Sequence, residues 1–340
     1  MNSKKLKFPS ELRFDLISKD WVVVATGRGK RPEMFRKEKR AEIKISPREC
    51  PFCNVGIQEK PLLIYSRGKK VPFSKNWSTI VVPNKFPAFL PQSKFEKKIE
   101  GNLYQTMPAV GFCELVATKD HKKSLALLPQ SHVKEVLDSY QERYLELMKK
   151  KFVNYVSIFH NEGAEAGASQ PHPHSQIITS PLIDVDLRNA LLSSKKYFKK
   201  TGKCIYCRMN DWEKKNKKRI IFENEDFLAI CPFASKAAFE IIISPKRHLP
   251  YFEKITEKEK WQLAEAFQVA LKKLYKALND PPYNFYLHTA PCDGKKYSFY
   301  HWHWTILPKT STWAGFEIGT RMEISTIEPE KAAEYLRKQK

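Results

Sequence analysis

The chain has no apolar run near the ~18 residues that a membrane-crossing helix needs, and its opening stretch, MNSKKLKFPSELRF, holds no apolar core of signal-peptide length. From those two absences we expect a soluble, cytoplasmic protein with no membrane partner. A disulfide framework is excluded as well, because seven cysteines is an odd count in a chain that reads as cytosolic. Acidic residues are scarce, 37 Asp and Glu against 60 Lys and Arg; the resulting +23 field attracts anions such as phosphate esters or nucleic acid. No recognition-helix or RNA-binding signature accompanies the lysine runs KKYFKK (195–200) and KKNKK (214–218). They read as solvated faces or loops and argue against nucleic acid. With 42% hydrophobic and 12% aromatic residues the composition is globular, and 340 residues make one large domain or two of roughly 150.

What is present follows a repeated order. The first third holds short extended runs, DWVVVATG, STIVVPN and CELVATKD, separated by prolines, and reads as β-rich with loops. Between Pro129 and Met148 the residues Val133, Val136, Leu137, Tyr140, Tyr144, Leu145 and Met148 recur on one helical face. A strand FVNYVSIFH follows, then a Gly/Ala/Ser loop, then GASQPHPHSQII. The second half runs through RIIFENEDFLAICPF, FEIIISPKRHLP, the helical EKEKWQLAEAFQVALKKLYKAL, YNFYLHT and HWHWTILP. Each half thus carries C-x2-C, a lone histidine after a strand, a helix, and H-x-H beginning a strand. His121 precedes His172 by 51 residues and His248 precedes His301 by 53. We read an internal duplication surviving as ordered landmarks, with a boundary near 185–200 and halves of 1–190 and 191–340.

A zinc ion takes four soft or borderline ligands in a tetrahedron, and C-x2-C supplies two from one tight turn. Cys50 and Cys53 form one such turn, completed by His121 and one histidine of the H-x-H pair; the equivalent set is Cys204, Cys207, His248 and His301. The plainer alternative is two pairs of buried free thiols. A redox role is weaker, since neither pair is expected at the start of a helix that follows a strand.

His172 and His174 project together if they lie in a strand and diverge if they lie in a turn. Pro171 and Pro173 hold this backbone extended. A neutral imidazole attacks phosphorus if its other nitrogen is held as an N–H donor, often by a backbone carbonyl. If His172 binds metal, His174 is free for that chemistry, with Gln176 able to donate an amide N–H to a phosphate oxygen. Gly163, Gly167, Ala168 and Ser169 allow close backbone approach to a phosphate. The other reading is a histidine-rich strand end without chemistry.

The segment NEGAEAGASQPHPHSQ resembles the active-site segment of the galactose-1-phosphate uridylyltransferase family, the nucleotidyl transferase branch of the histidine-triad superfamily, and the landmarks agree in order along nearly the whole chain. The resemblance implies an α+β fold of two similar halves, each an antiparallel half-barrel with packed helices. It implies a ping-pong transfer between UDP-glucose and galactose 1-phosphate, through a covalent nucleotidyl intermediate on His174 with Gln176 beside it. It also implies zinc on Cys50, Cys53, His121 and His172, and a homodimer. GRGKRP (27–32) carries over Arg28 and Arg31 as phosphate or substrate binders, and VPNKFPAF carries over Asn84 as a nucleotide contact. Asn161, Ser169 and Gln176 fall on positions that hold the diphosphate; Phe316 and Glu317, in WAGFEIGT, fall on hexose contacts.

The chain also departs from that pattern. LIDVDLRNA has no glutamate where some members bind iron in the second half, so His288, His301 and His303 do not secure that metal. GKCIYC and SPKRH instead resemble members with a second zinc, including plant ADP-glucose phosphorylases, which share the H-S-Q ending and something like DPPYN; they move an adenylyl group to phosphate. Glu323 stands where uridylyltransferases commonly have a hexose-contacting glutamine. Adenylyl transfer is therefore the second enzymatic reading, and a basic zinc protein that holds nucleic acid is the reading from another class.

Overall fold

The structure is a computed structural model that describes residues 10–26, 31–36, 45–54, 60–72, 76–92 and 96–339. Its first half contains β1 (Ser10–Phe14), β2 (Trp21–Ala25), β3 (Leu63–Ser66), β4 (Lys69–Lys70), β5 (Thr79–Pro83), β6 (Lys98–Glu100), β7 (Tyr104–Thr106), β8 (Cys113–Thr118), helix α1 (Gln130–Leu147), β9 (Tyr155–Glu162) and β10 (His174–Ser180). Helices α2 (Val185–Thr201) and α3 (Ile205–Asn216) come next. The remainder contains β11 (Ile220–Glu223), β12 (Phe227–Ile230), β13 (Ile241–Pro245), α4 (Glu257–Leu278), β14 (Tyr283–His288), β15 (His303–Pro308), α5 (Gly315–Thr320), β16 (Ile324–Ser325) and α6 (Pro329–Arg337).

One eleven-stranded sheet runs through both halves in the order β11-β12-β13-β15-β14-β9-β10-β8-β5-β3-β4. The order mirrors itself about the β14/β9 pair: β15 and β10 flank it, then β13 and β8, then β12 and β5. The expected α+β duplication is therefore visible as symmetry, and each H-x-H strand lies one place from the seam. Strands β1, β2 and β16 form a separate small sheet, and β6 pairs with β7.

The long helices form where the apolar period is 3.6, and α4 is capped at both ends as well. In α4 the Thr256 hydroxyl accepts from the Glu259 amide while the Glu259 carboxylate accepts from the Thr256 amide, and Asn279 closes the other end in a left-handed conformation, φ +61°. Leu263, Phe267, Leu271, Leu274 and Leu278 are buried along its inner side, each contributing roughly 1.5–3 kcal/mol when fully removed from water. Helix α1 packs beside α4 over the same sheet face, with Val133, Val136, Leu137, Tyr140 and Tyr144 inside; Leu145, expected on that face, is 40% exposed because it sits at the edge of the stripe. The opposite sheet face carries two smaller clusters. One gathers Leu187, Leu191, Ile205 and Tyr206 of α2 and α3 with Tyr300, and the other gathers Phe52, Ile64, Trp77 and Ile80. The lysine run 195–200 is helical rather than a loop, and its four lysines lie on the exposed side of α2.

Candidate active site

The first C-x2-C turn reaches β8 and β10 through their ends. His121 follows β8, and His172 stands two residues before β10, outside the strand, so the two histidines of the pair diverge. One ligand atom from each of Cys50, Cys53, His121 and His172 lies within 4.8 Å of all the others. His121 Nδ1 is 3.3 Å from His172 Nδ1, and Cys53 Sγ is 3.2 and 3.6 Å from these two nitrogens; Cys50 Sγ is 3.4 Å from His172 Nδ1. His121 Nε2 donates to the Ile45 carbonyl at 2.9 Å and His172 Nε2 to the Thr118 carbonyl at 2.7 Å. Both inward nitrogens are therefore lone pairs, which repel at 3.3 Å unless a cation lies between them.

The second set repeats this geometry. Cys204, Cys207, His248 and His301 also present atoms within 4.8 Å of one another, with Cys207 Sγ 3.5 Å from both imidazole Nδ1 atoms. His248 Nε2 donates to the Ser298 carbonyl at 2.8 Å and His301 Nε2 to that of Pro245 at 2.9 Å. Thiol acidities carry the same message. The Cys207 thiol and both imidazoles pull Cys204 down to about 2, while Cys207 itself is pushed up, chiefly by Cys204. Burial, then Cys50, raises Cys53 to about 11. One thiolate of each pair opposes the other unless a metal neutralises both. Tetrahedral bonds of about 2.3 Å to sulfur and 2.0–2.1 Å to nitrogen put ligand atoms about 3.3–3.8 Å apart, so both donor sets fit zinc in size and chemistry. Cys204 is the N-cap of α3 and Cys207 lies in its first turn, so this pair does begin a helix; that helix follows α2, not a strand.

His174 opens β10 and is 8% exposed. Its Nδ1 donates to the His172 carbonyl at 2.9 Å, which leaves Nε2 as the lone-pair nitrogen. Burial lowers its pKa to about 4, so the ring is neutral at physiological pH. The Phe52 ring, from inside the C-x2-C turn, leans on it at 4.8 Å and 31°. Gln176 lies on the same strand face, by the two-residue period of the strand. The β9/β10 register pairs Ser175 with His160, and one further step brings Asn161 opposite His174. Gly163 and Gly167, both at φ +86°, turn the chain back towards β10; Ser169 lies exposed in that turn.

The structure thus assembles His174, Gln176, Asn161 and the Gly163–Ser169 turn. Asn84 follows β5, its amide bonded to the Cys113 carbonyl, four residues along β8 from the Ala117 that pairs with His174. Arg31 is exposed before a short 3-10 turn, and Arg28 lies outside the described residues. Phe316 and Glu317 lie on the exposed α5 and make no hydrogen bond or ring contact with His174. Helix α5 buries no residue, Phe316 is 49% exposed, and the Glu317 carboxylate caps its own helix at 3.0 Å from the Ala314 amide. A cleft of about 330 Å³ opens nearby, lined by Phe35, Glu165, Pro282, Lys309 and Trp313 among others, without His174 or Gln176.

Two family models divide the chain between them: residues 2–183 match the galactose-1-phosphate uridyl transferase N-terminal domain and residues 191–339 its C-terminal domain. The chain belongs to the galactose-1-phosphate uridyl transferase family. Membership makes it an enzyme of nucleotidyl transfer. It is 32% identical over 332 residues to an ADP-glucose phosphorylase of Arabidopsis thaliana, covering 96% of this chain and 92% of that protein. It is 29% identical over 336 residues to the galactose-1-phosphate uridylyltransferase of Thermotoga maritima, covering 96% and 98%. Among solved structures, the A. thaliana ADP-glucose phosphorylase with bound ADP-glucose superposes at a TM-score of 0.79, with 30% identity and coverage of 97% and 99%. A uridylyltransferase structure superposes at 0.73, with 28% identity and coverage of 96% and 97%.

Several residues of this uridyl transferase-like site escaped the sequence reading. Beneath it, on the helix side of the sheet, Glu162 accepts from His160 Nε2 at 3.0 Å, His160 Nδ1 meets Ser175 Oγ at 3.0 Å, and Ser175 Oγ meets the Tyr140 hydroxyl at 2.5 Å. All four are at most 4% exposed. The chain joins residues that alternate with Asn161, His174 and Gln176, so it clamps β9 to β10 from behind. No spacing rule announces it. Phe52 did have a signal: an aromatic stands third in both C-x2-C turns, Phe52 in one and Tyr206 in the other.

Proposed function

We propose that His174 is the nucleophile of a two-step nucleotidyl transfer. Its Nε2 attacks the α-phosphorus of a nucleoside diphosphate hexose and forms a P–N bond; the bond to the bridging oxygen breaks, and hexose 1-phosphate leaves with that electron pair. In the second step an acceptor phosphate oxygen attacks the same phosphorus, and the imidazole is expelled and restored. The observation that carries this reading is the bond from His174 Nδ1 to the His172 carbonyl, which selects the tautomer with a free Nε2.

Around that atom, Gln176, Asn161 and Ser169 hold the diphosphate by N–H and O–H donation, and Asn84 meets the nucleotide at the far end of β8. Arg28 and Arg31 neutralise phosphate charge. Phe316 and Glu317 contact the hexose in a homodimer, where the unpartnered α5 of one protomer covers the site of the other. Each Cys2His2 set binds zinc, whose part is to cross-link separated segments. In the first set that holds the His172 carbonyl where His174 needs it. The halves are 1–190 and 191–340, and the protein acts in the cytoplasm.

Two substrate pairs suit this chemistry. UDP-glucose with galactose 1-phosphate has the support of the family models and the T. maritima relative. ADP-glucose with phosphate has the support of the A. thaliana relative and of the gathered second Cys2His2 set. Intact mass after incubation with each nucleotide sugar distinguishes them: a uridylyl or an adenylyl increment, lost in His174→Gly, names the group carried. No increment with either would refute the covalent route.

A further inference from the structure

Asn284 lies on β14, in the second half, directly opposite Asn161 of β9. Its Nδ2 is 2.8 Å from the Ala166 carbonyl oxygen and 2.8 Å from Asn161 Oδ1. A backbone carbonyl only accepts, so the Ala166 contact settles which end of the Asn284 amide faces the turn: the NH2 end. The same nitrogen has one further hydrogen to give, and the Asn161 atom it meets must be the acceptor, Oδ1. The Asn161 NH2 is thereby turned towards the Gly163–Gly167 turn, where a Cβ on Gly167 would come within 3.9 Å of it. Among the described residues no acceptor meets that NH2.

We propose that Asn284 is a positioning residue for nucleotidyl transfer: it locks the Asn161 amide with its N–H side towards the phosphates and ties down the turn through Ala166. The inference rests on the reading of His174 and Asn161 given above. An amide free to rotate presents oxygen or nitrogen alike, and oxygen facing a phosphate oxygen is repulsive. The lock comes from the second half, through a residue that does not itself touch substrate, so that half orders the phosphate contacts of the first.

The test measures kcat and KM with both substrate pairs for the wild type, Asn284→Asp and Asn284→Ala, each alone and in an Asn161→Ala background, alongside thermal melts. Asn284→Asp keeps the shape but offers only acceptors; it takes the Asn161 NH2, turns the Asn161 oxygen outward and repels the Ala166 carbonyl. We expect kcat/KM to fall roughly 100-fold with Asp and roughly 10-fold with Ala. In the Asn161→Ala background the further loss should shrink to within about 3-fold, because the residue it acts through is gone. If Asn284→Asp lowers the melting temperature, the uncharged Asn284→Ala carries the comparison. Variants as active as the wild type, or losses undiminished in the Asn161→Ala background, would overturn the inference alone. A wild-type enzyme that turns over neither pair would overturn the functional reading and this inference with it.

Discussion

His174 and His303 stand at the same point of two copies of one arrangement, and they face different surroundings. In both copies the first histidine of H-x-H belongs to a Cys2His2 cluster, and the second donates Nδ1 to the carbonyl of the first, at 2.9 Å for His174 and 3.3 Å for His303. In both, an aromatic from inside C-x2-C leans on that second ring, Phe52 at 4.8 Å and Tyr206 at 5.2 Å. The difference lies in what surrounds the ring. His174 has Asn161 across the strand and a glycine turn beside it, both suited to a phosphate. His303 is stacked against His288 at 4.7 Å, on the strand where Asn161 has its counterpart. The tautomer that donates from Nδ1 is present twice. The neighbouring strand differs, because it sets Asn161 opposite one ring and stacks a second imidazole on the other.

The largest expected break in this comparison comes from the two histidines themselves. His174→Gly should lower turnover by at least about 10⁴-fold and abolish the mass increment, with the metal content unchanged, whereas His303→Asn should keep turnover per folded molecule within about 3-fold. Equal losses would mean that the second copy takes part in the chemistry. Next come the metal clusters. Cys53→Ser and Cys207→Ser should each release one equivalent of zinc, measured by elemental analysis, and lower the melting temperature by more than about 5 °C. Turnover at 25 °C should fall with Cys53→Ser and hold within about 3-fold with Cys207→Ser, because only the first cluster includes His172, whose carbonyl accepts from His174. The smallest effect sharpens the contrast beneath the strands. Ser175, whose place in the second copy is taken by Trp304, joins His160 to Tyr140. Ser175→Ala leaves both of those buried groups short of a partner and should cost about 1–3 kcal/mol in urea unfolding.

Much of this was legible before any coordinates. C-x2-C, a lone histidine and H-x-H recur in one order, which singled out seven side chains and left the eighth to the H-P-H pair, where the family resemblance chose His172; the fold gathers both sets. The helix at 130–147 was legible for the same reason, since a 3.6-residue apolar period is a local property. Other features were not legible. The run 195–200 reads as a solvated face or a loop, and its charges leave that choice open; the structure makes it the outer face of a helix whose inner side is Leu187, Ala190, Leu191 and Ser194. The roles of Asn284 and His160 depend on which strands become neighbours, and β9 meets β14 from 123 residues away. No local pattern encodes that pairing.

By itself, then, the sequence determined which chemistry the chain carries: the ligand types, their spacing, their duplication, and a histidine held next to a proline-stiffened turn. Side-chain identity and short spacing decide these, and neither depends on the fold. The tertiary structure decided what each of two equivalent histidines faces. That outcome depends on what the neighbouring strand places against each ring, Asn161 beside one and His288 against the other. Neighbours of that kind exist only once a single sheet has closed across both halves.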